Sequence, residues 1–196
     1  MLVKKGFKGQ IYTTEPTKIL SEIILADSGK IQEEDANRAN LMGFSRHSKA
    51  LPLYTQAEAF AVSNHFSTHL YNEWVHIDSD IKFVFHNAGH IVGSAVIEMK
   101  IKEKTMLFSG DLGRKDPLLL YPPFKHIKPN YLIMESTYGD RVHAAKDVQS
   151  QLHEIILKNS KVKGTLLIPA FAVERTQEII YLLYQLKKEG KLDSIP

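Results

Sequence analysis

Cysteine is absent from the sequence, and its absence removes several kinds of site at once. Without a thiol the chain can form no disulfide bond, no zinc site with thiolate ligands and no cysteine nucleophile. Any metal ion must therefore be held by histidine, aspartate or glutamate, and nine histidines are available for this purpose.

The sequence also lacks a long apolar run and a strong excess of charge. No stretch approaches the roughly 20 apolar residues of a membrane span, and the basic residues 1–9 lack the apolar core of a secretory signal. The net charge of +3 permits an anionic partner but does not require one. With 43% hydrophobic residues over 196 positions, the chain can bury a substantial core. We predict a cytoplasmic protein that does not associate with membranes.

Hydrophobic periodicity predicts three helices in the first third of the chain. The first opens at Pro16, and the second covers residues 31–42 with acidic side chains in its first turn. The third covers residues 56–65, and Thr55 and Glu58 have the spacing of a capping box at its start.

Short β-type segments surround and follow these helices. They lie at residues 9–14, 70–77, 81–85, 95–101 and 105–108. The last four are joined by short polar turns, which predicts a meander. Within it, Val96, Glu98 and Lys100 alternate with apolar residues, as in a strand with one face toward solvent.

The C-terminal part of the chain has a different texture. Residues 113–129 contain four prolines and no periodicity, which predicts a long irregular loop with a functional role. Residues 131–134 and 165–168 are continuous apolar runs typical of strands buried on both faces, and each precedes a segment with helical spacing. This alternating order predicts parallel α/β structure.

Acidic or imidazole side chains follow three of the apolar segments. His90, Asp111 and Glu135 lie just past strands, and His86 and His143 are additional candidates. Glycines flank His90 and Asp111, so the backbone can turn sharply and approach an ion closely. Two interpretations remain open from the residues alone: a hydrolytic metal site, where the ion lowers the pKa of bound water, or turns whose side chains only satisfy hydrogen bonds.

Four ordered motifs give the chain a specific resemblance to a known family. They are HNAGHIVGSA at 86–95, FSGDLGR at 108–114, ESTYGDR at 135–141 and IPAFAVERTQE at 168–178. Together they resemble successive motifs of the metallo-β-lactamase fold ribonucleases of the β-CASP branch, and the resemblance covers nearly the whole chain. It implies an α/β fold with a partial αββα metallo-β-lactamase sandwich, containing a mixed sheet, at residues 1–140. The beginning of a β-CASP domain would follow at residues 141–196.

The resemblance implies zinc-dependent hydrolysis of single-stranded RNA, and it assigns roles to five residues. His90 matches a metal-ligand histidine, and Asp111 matches the aspartate that bridges two zinc ions. Glu135 matches an acid that supports a catalytic histidine further along the family's chain, so we expect Asp111 and Glu135 to act in catalysis. Arg175 and Thr176 match a helix start near the RNA backbone.

Three neighbouring residues qualify these assignments. Glu174 directly precedes the predicted RNA-binding helix start and repels phosphate, so a structural cap is the alternative there. His86 and His143 match no ligand position in the family, and we expect both to lie behind the metal site or at the surface.

One motif of the family, HxHxDH, does not occur in the 196 residues. In the family it precedes the segment that begins here and supplies most of the zinc ligands, and a further ligand histidine lies later in the chain. His90 and Asp111 provide two ligands where a zinc site needs three or four. We therefore expect an internal fragment of the enzyme that binds zinc weakly and is inactive as an isolated chain.

Two alternatives to an RNA hydrolase remain. Lactamase-fold hydrolases also act on DNA and thioesters, and a fold alone does not choose between substrates. The chain could instead be a non-catalytic module that binds RNA or a protein without metal, as a homo-oligomer that covers exposed strand edges. The motifs around Glu135 and Arg175 favour nucleic acid.

Overall fold

The fold combines two β-sheets with four α-helices in the part of the chain that the computed structural model describes, residues 1–125, 128–142 and 147–192. The helices are α1 (Glu15–Met42), α2 (Gln56–Ala61), α3 (Val148–Lys161) and α4 (Arg175–Lys188). The strands are β1 (Ile11–Thr13), β2 (Phe66–Thr68), β3 (Trp74–His76), β4 (Ile81–Asn87), β5 (Ala95–Ile101), β6 (Lys104–Phe108) and β7 (Tyr131–Ile133). None of the described helices has the length and hydropathy needed to cross a bilayer.

The larger sheet is mixed, and its strand order places three strand ends at one edge. The order is β3-β4-β5-β6-β7, with antiparallel pairs up to β6 and a parallel β6–β7 pair. The predicted meander is therefore confirmed, as is the α/β class. Because β5 runs against both of its neighbours, the carboxyl ends of β4, β6 and β7 meet at the same edge of the sheet.

The smaller sheet pairs β1 and β2 in parallel and packs against the larger one through aromatic rings. The Tyr12 ring lies 5.2 Å from that of Phe83, which lies 5.1 Å from that of Phe85. Phe83, Val84 and Phe85 are at most 5% exposed, so β4 is buried on both faces and forms the centre of the core. Tyr12 remains partly exposed at the margin of this cluster.

The first two predicted helices are one continuous helix, α1, so the predicted break before residue 31 was wrong. Thr14 caps this helix, and no proline interrupts it until Gly43 ends it in the left-handed conformation. The start of α2 packs against α1 at Gly29. A Cβ at this position would lie 2.8 Å from the backbone nitrogen of Gln56. The predicted capping box at the start of α2 is present.

One face of β5 was predicted to be wet, and this prediction was wrong. Val96 and Glu98 are only 4% and 8% exposed. The irregular loop after Gly113 folds back over this face, where the ring of Phe124 stacks on that of His86. A charged residue is buried here because His86, on the neighbouring strand, hydrogen-bonds to it.

Strands buried on both faces were predicted at residues 131–134 and 165–168, and both predictions were wrong, because neither segment has a described strand on each side. β7 forms, but its residues are about half exposed, because it is the edge strand of the sheet in the described residues. Residues 165–168 form no strand, and Leu167 is 83% exposed. An apolar run becomes a buried strand only where other strands satisfy its backbone groups. Residues 113–125 have no regular structure, as predicted.

Candidate metal centre

His90 and Asp111 lie together at the edge of the sheet where β4 and β6 end. The Nε2 atom of His90 is 3.9 Å from the Oδ2 atom of Asp111. The side chain of His90 is 32% exposed and that of Asp111 is 75% exposed, so the pair opens to solvent. Two residues separated by a whole hairpin in the sequence thus form one site.

The pair fits a shared zinc ion in donor type and in spacing. Two ligand atoms of a tetrahedral zinc ion, each bound at about 2.1 Å, lie about 3.4 Å apart. The observed separation of 3.9 Å is close to this distance. Among the described residues, however, no group of three histidine, aspartate or glutamate side chains could hold a metal ion. The described residues therefore bring together two side chains that could bind zinc, but not the three or four that a zinc site needs.

The turn that carries His90 is closed by Ser94 and fixed from two sides. The Ser94 hydroxyl accepts hydrogen bonds from the backbone N–H groups of His90 and Ile91, at 3.1 and 3.2 Å. Its carbonyl accepts one from the Tyr71 hydroxyl at 2.9 Å. Burial raises the pKa of Tyr71, so this hydroxyl remains a donor at neutral pH.

The start of α1 also contacts the His90 turn. The hydroxyls of Thr14 and Thr17 both donate to the carbonyl of Gly93, each at 2.8 Å. Thr14 is at the same time the N-cap of α1, accepting from the backbone N–H of Thr17. The helix cap and the metal-ligand turn are thereby joined through the same hydroxyl.

The loops of His90 and Asp111 touch through their backbones. The N–H of Gly113 donates to the carbonyl of Ala88 at 2.8 Å. A Cβ built on Gly113 would lie only 1.7 Å from the carbonyl oxygen of Gly89, so only glycine fits. Gly113 therefore allows two backbone segments to touch, whereas the predicted approach of this backbone to an ion stays a prediction.

Glu135 contacts the loop that carries Asp111. Its Oε1 atom accepts from the N–H of Leu112 at 2.5 Å, and its own N–H donates to the Ser109 hydroxyl at 3.0 Å. A hydrogen bond from Thr137, together with that from Leu112, holds the pKa of Glu135 below its usual range, and the charge of His90 lowers it further. Glu135 is therefore an ionised carboxylate that orders the loop carrying Asp111.

We expected His86 to lie either behind the metal site or at the surface, and its side chain is buried. Its Nε2 atom lies 3.0 Å from the Oε2 atom of Glu98, and its Nδ1 atom lies 2.9 Å from the Oδ1 atom of Asn72. The ring stacks on Phe124 with a centroid distance of 3.9 Å. His86 thus holds the irregular loop against β4. The second candidate, His143, falls outside the described residues.

Arg175 and Thr176 begin α4, as predicted, but the side chains of both contact other residues of this chain. The guanidinium of Arg175 contacts the Glu178 carboxylate at 2.6 Å, and the Thr176 hydroxyl donates to the carbonyl of Phe171. Glu174 is 8% exposed and has a φ of 71°. Burial raises the pKa of Glu174, and the charge of Glu178 raises it further, whereas Arg175 and His90 lower it.

A cavity of about 560 Å³ lies beside the start of α4. Arg114, Phe171 and Arg175 line it together with apolar side chains of α4. Within the described part of the chain, Arg114 forms no ion pair, so its charge is available to an anion, unlike that of Arg175.

Several supporting residues were not predicted from the sequence. Thr14 carried a signal, because a threonine two positions before a proline is typical of a helix start. Ser94 carried a weaker one, since serine often closes turns through its hydroxyl. Glu98 and Tyr71 carried none, because their roles depend on contacts between distant segments.

Comparison with known proteins gives relatives along nearly the whole chain. Ribonuclease TTHA0252 of Thermus thermophilus is 32% identical over 184 residues, which cover 93% of this chain and 38% of the relative. The transcription termination factor FttA of Pyrococcus abyssi is 33% identical over 194 residues, covering 96% of this chain and 28% of the relative. Endoribonuclease YSH1 of Yarrowia lipolytica is 30% identical over 193 residues, covering 93% of this chain and 21% of the relative.

No protein-family model matches the chain. The chain spans at most 38% of the length of these three relatives. It is homologous to part of ribonucleases and of a termination factor, in agreement with the resemblance of its motifs to the β-CASP ribonucleases.

Proposed function

We propose that the chain is part of a zinc-dependent RNA phosphodiester hydrolase of the β-CASP family. The observation that carries this proposal is the meeting of His90 and Asp111 at 3.9 Å, on two loops joined by a backbone hydrogen bond. The names of the relatives support RNA as the substrate.

The roles of the residues follow from their contacts. His90 and Asp111 would hold the metal, with Asp111 as the ligand shared between two zinc ions. Zinc, when bound, supplies Lewis-acid stabilisation of phosphodiester oxygens and a lowered pKa of water. Glu135 fixes the Asp111 loop through Leu112 and, being ionised, can accept a hydrogen bond from an imidazole. That capacity suits the support of a catalytic histidine.

The architecture we propose is a partial αββα sandwich over residues 1–140. The small sheet with α1 and α2 would form one side, and the five-stranded sheet would form the other. Residues 141–196 would begin the β-CASP domain. The contact of Tyr12 with Phe83 supports this arrangement, because it joins a strand of the small sheet to a strand of the large one.

We further propose that the isolated chain binds zinc weakly and does not cleave RNA. Two ligands leave most of the coordination of a zinc ion to water. The test combines the zinc content of the protein purified in zinc-containing buffer with cleavage of a labelled single-stranded RNA. We expect less than one zinc per chain after dialysis and no cleavage above the buffer rate.

Two variants make this test decisive. Asp111→Ala should abolish the residual zinc binding, and the exposed neighbour Asp116→Ala should leave it unchanged. Stoichiometric zinc in the dialysed chain that Asp111→Ala loses would overturn the proposed weak binding, and RNA cleavage that Asp111→Ala loses would overturn the proposed inactivity; both results would leave the proposed metal site standing. Equal zinc binding by all three proteins would overturn the metal site itself.

Similarity to FttA favours a second candidate, in which the chain contributes to transcription termination by binding RNA without cutting it. Affinity of the metal-free protein for single-stranded RNA should then fall steeply with salt. Absence of measurable binding would exclude this candidate. Labelled DNA is tested in the same cleavage assay, and a thioester substrate is tested by the release of its thiol.

A further inference from the structure

An open groove far from the metal centre lies between the second half of α1 and the segment that follows it. Its volume is about 600 Å³. We call it the leucine groove, and its principal lining residues are Asp35, Arg38, Ala39, Phe44, Leu51 and Leu53.

Three large apolar side chains of the leucine groove are exposed together. Leu51 is 72% exposed, Leu53 is 65% exposed and Phe44 is 64% exposed. Single exposed leucines are common in folded proteins, but several around one depression are typical of an interaction site.

The backbone of the groove wall is nevertheless firmly held. The amide of Asn40 on α1 makes both of its hydrogen bonds to Ala50, donating to its carbonyl at 2.9 Å and accepting from its N–H at 2.7 Å. The side chain of Gln32 accepts from the N–H of Leu53 at 3.1 Å, and Lys4 donates to the carbonyl of Leu53. The segment is thus fixed at both ends while its leucines point away from the core. A preformed apolar surface loses little conformational entropy on binding.

The cations around the groove are available to a ligand, whereas the nearby acids Glu33 and Glu58 are engaged by the backbone N–H of Gln56 and by Lys4. Arg38 lines it, and Arg46 and Lys49 lie in the bend between Phe44 and Leu51. Within residues 1–125, 128–142 and 147–192, none of these three cations forms an ion pair with an acidic side chain. Asp35 is the one acidic side chain among the residues that line the groove. The rim therefore complements a negatively charged ligand.

We propose that the leucine groove binds an acidic, amphipathic segment of a partner protein. Apolar anchors of that segment occupy the groove beside Leu51 and Leu53, and its carboxylates face Arg38, Arg46 and Lys49. RNA alone would neutralise the cations but would not bury the exposed leucines against an apolar side chain. A second copy of the chain, docked groove to groove, would bring like charges together. This inference is independent of the proposed nuclease function.

The test uses a fluorescein-labelled synthetic helix of about 16 residues in which leucines at i, i+3, i+4 and i+7 alternate with glutamates and aspartates. Fluorescence anisotropy measures its affinity for the full chain. A second peptide with lysine in place of every acidic residue serves as the charge control. We expect saturable binding of the acidic peptide and at least about tenfold weaker binding of the basic one.

Paired variants locate the site. Leu51→Asp with Leu53→Asp should weaken binding by about thirtyfold or more, since it removes both anchors and repels the ligand. Arg46→Glu with Lys49→Glu should weaken it by about tenfold and flatten its salt dependence. The matched controls are Leu167→Asp, at a leucine that is 83% exposed, and Lys158→Glu on α3. Circular dichroism checks that every variant is folded.

Three results would overturn the proposal. The first is equal affinity of the wild-type chain for the acidic and basic peptides. The second is an effect of the groove variants no larger than that of their controls. The third is a concentration-dependent dimer, measured by sedimentation, that the paired leucine variant dissociates while the peptide fails to bind, because it would assign the groove to a second copy.

Discussion

Glu135 organises the metal-ligand loop as an anion, which makes its contribution to stability depend on pH. Its folded pKa lies below the unfolded value of about 4.5, because Thr137 and the N–H of Leu112 donate to the ionised form. The stabilisation is therefore present above pH 4.5 and is lost as the pH falls through the folded pKa.

We predict that Glu135→Gln lowers the free energy of unfolding by about 1 kcal/mol at pH 7, a modest value because the carboxylate is partly exposed. Urea denaturation of both proteins between pH 3 and 7 measures this difference, which should shrink toward the acidic end. Glu103→Gln, in the exposed hairpin turn between β5 and β6, is the control and should have little effect. A difference that is independent of pH would show that the charge of Glu135 is not what matters.

Gly113 lies where the His90 loop and the Asp111 loop touch, and it is so close to the Gly89 carbonyl that no side chain fits there. We predict that Gly113→Ala costs at least about 2 kcal/mol, because the new methyl group would overlap the Gly89 carbonyl and force the loops apart. Thermal denaturation measures the cost. Gly139→Ala, where the nearest atom is 3.3 Å from the added Cβ, should cost much less. Equal losses at the two positions would contradict this account.

At the residue scale, the sequence indicated which side chains lie together better than it indicated the contacts that hold them. His90 and Asp111 could be singled out because glycines flank them directly after apolar strands, and the structure places them 3.9 Å apart. Glu98 could not, since an acid in an alternating strand predicts a wet face. Its burial depends on His86 and on a loop more than twenty positions away that carries Phe124.

Among the elements, α1 contains a glycine at which two physical effects oppose each other. An alanine inside a helix is normally more stable than glycine by about 0.5–1 kcal/mol. At position 29, however, the added methyl would lie 2.8–3.0 Å from the backbone of Thr55 and Gln56. Backbone atoms at a helix cap cannot move aside cheaply, so the clash should win.

We therefore predict that Gly29→Ala destabilises the protein, whereas Asn37→Ala, on the exposed side of the same helix, stabilises it by a few tenths of a kcal/mol. Chemical denaturation followed by circular dichroism measures both changes. If the two alanines stabilise the chain to the same extent, the close contact between α1 and α2 does not exist in solution.

Element types followed from local sequence where the elements are self-contained. The capping box of α2 and the helical spacing of α3 and α4 involve neighbours in sequence, and all three helices form. The predicted helix at 56–65 is α-helical only to Ala61 and continues as a 3-10 helix to His65. Residues 165–168 have the composition of a strand but find no partner strand among the described residues. The break predicted before residue 31 failed because acidic residues at a helix start are also acceptable in a helix interior.

At the scale of the whole molecule, the proposed site of only two ligands, His90 and Asp111, limits how much bound zinc can stabilise the folded state. A ligand stabilises the folded state by RT ln(1 + [L]/Kd), so zinc at a concentration equal to its Kd adds about 0.4 kcal/mol. For a chain of this length that corresponds to roughly 1–2 °C in Tm. For the weak binding proposed above, with a Kd of about 100 µM, we predict a Tm shift of this size at 100 µM zinc, absent in Asp111→Ala. A shift of 10 °C or more would indicate a closed site.

The overall topology was predicted only in part. The antiparallel meander followed from short turns between neighbouring strands. The parallel pairing of β6 with β7 was not fixed locally, because the connection between them includes the long irregular loop. The convergence of β4, β6 and β7 at one edge depends on both kinds of pairing. The sequence could therefore suggest that the residues after these strands lie near one another, but it could not give the distances between them.

The two sheets also differ in how far apart their strands lie along the chain, and this difference orders the events of folding. Strands β4, β5 and β6 pair across short connections, so little entropy is lost in closing them. Strands β1 and β2 pair only after α1 and α2 have brought their ends together. In pulsed hydrogen exchange during refolding, the amides of β4 to β6 should become protected before those of β1 and β2. The turn of His90, which rests on both the meander and the start of α1, should therefore reach its final form late.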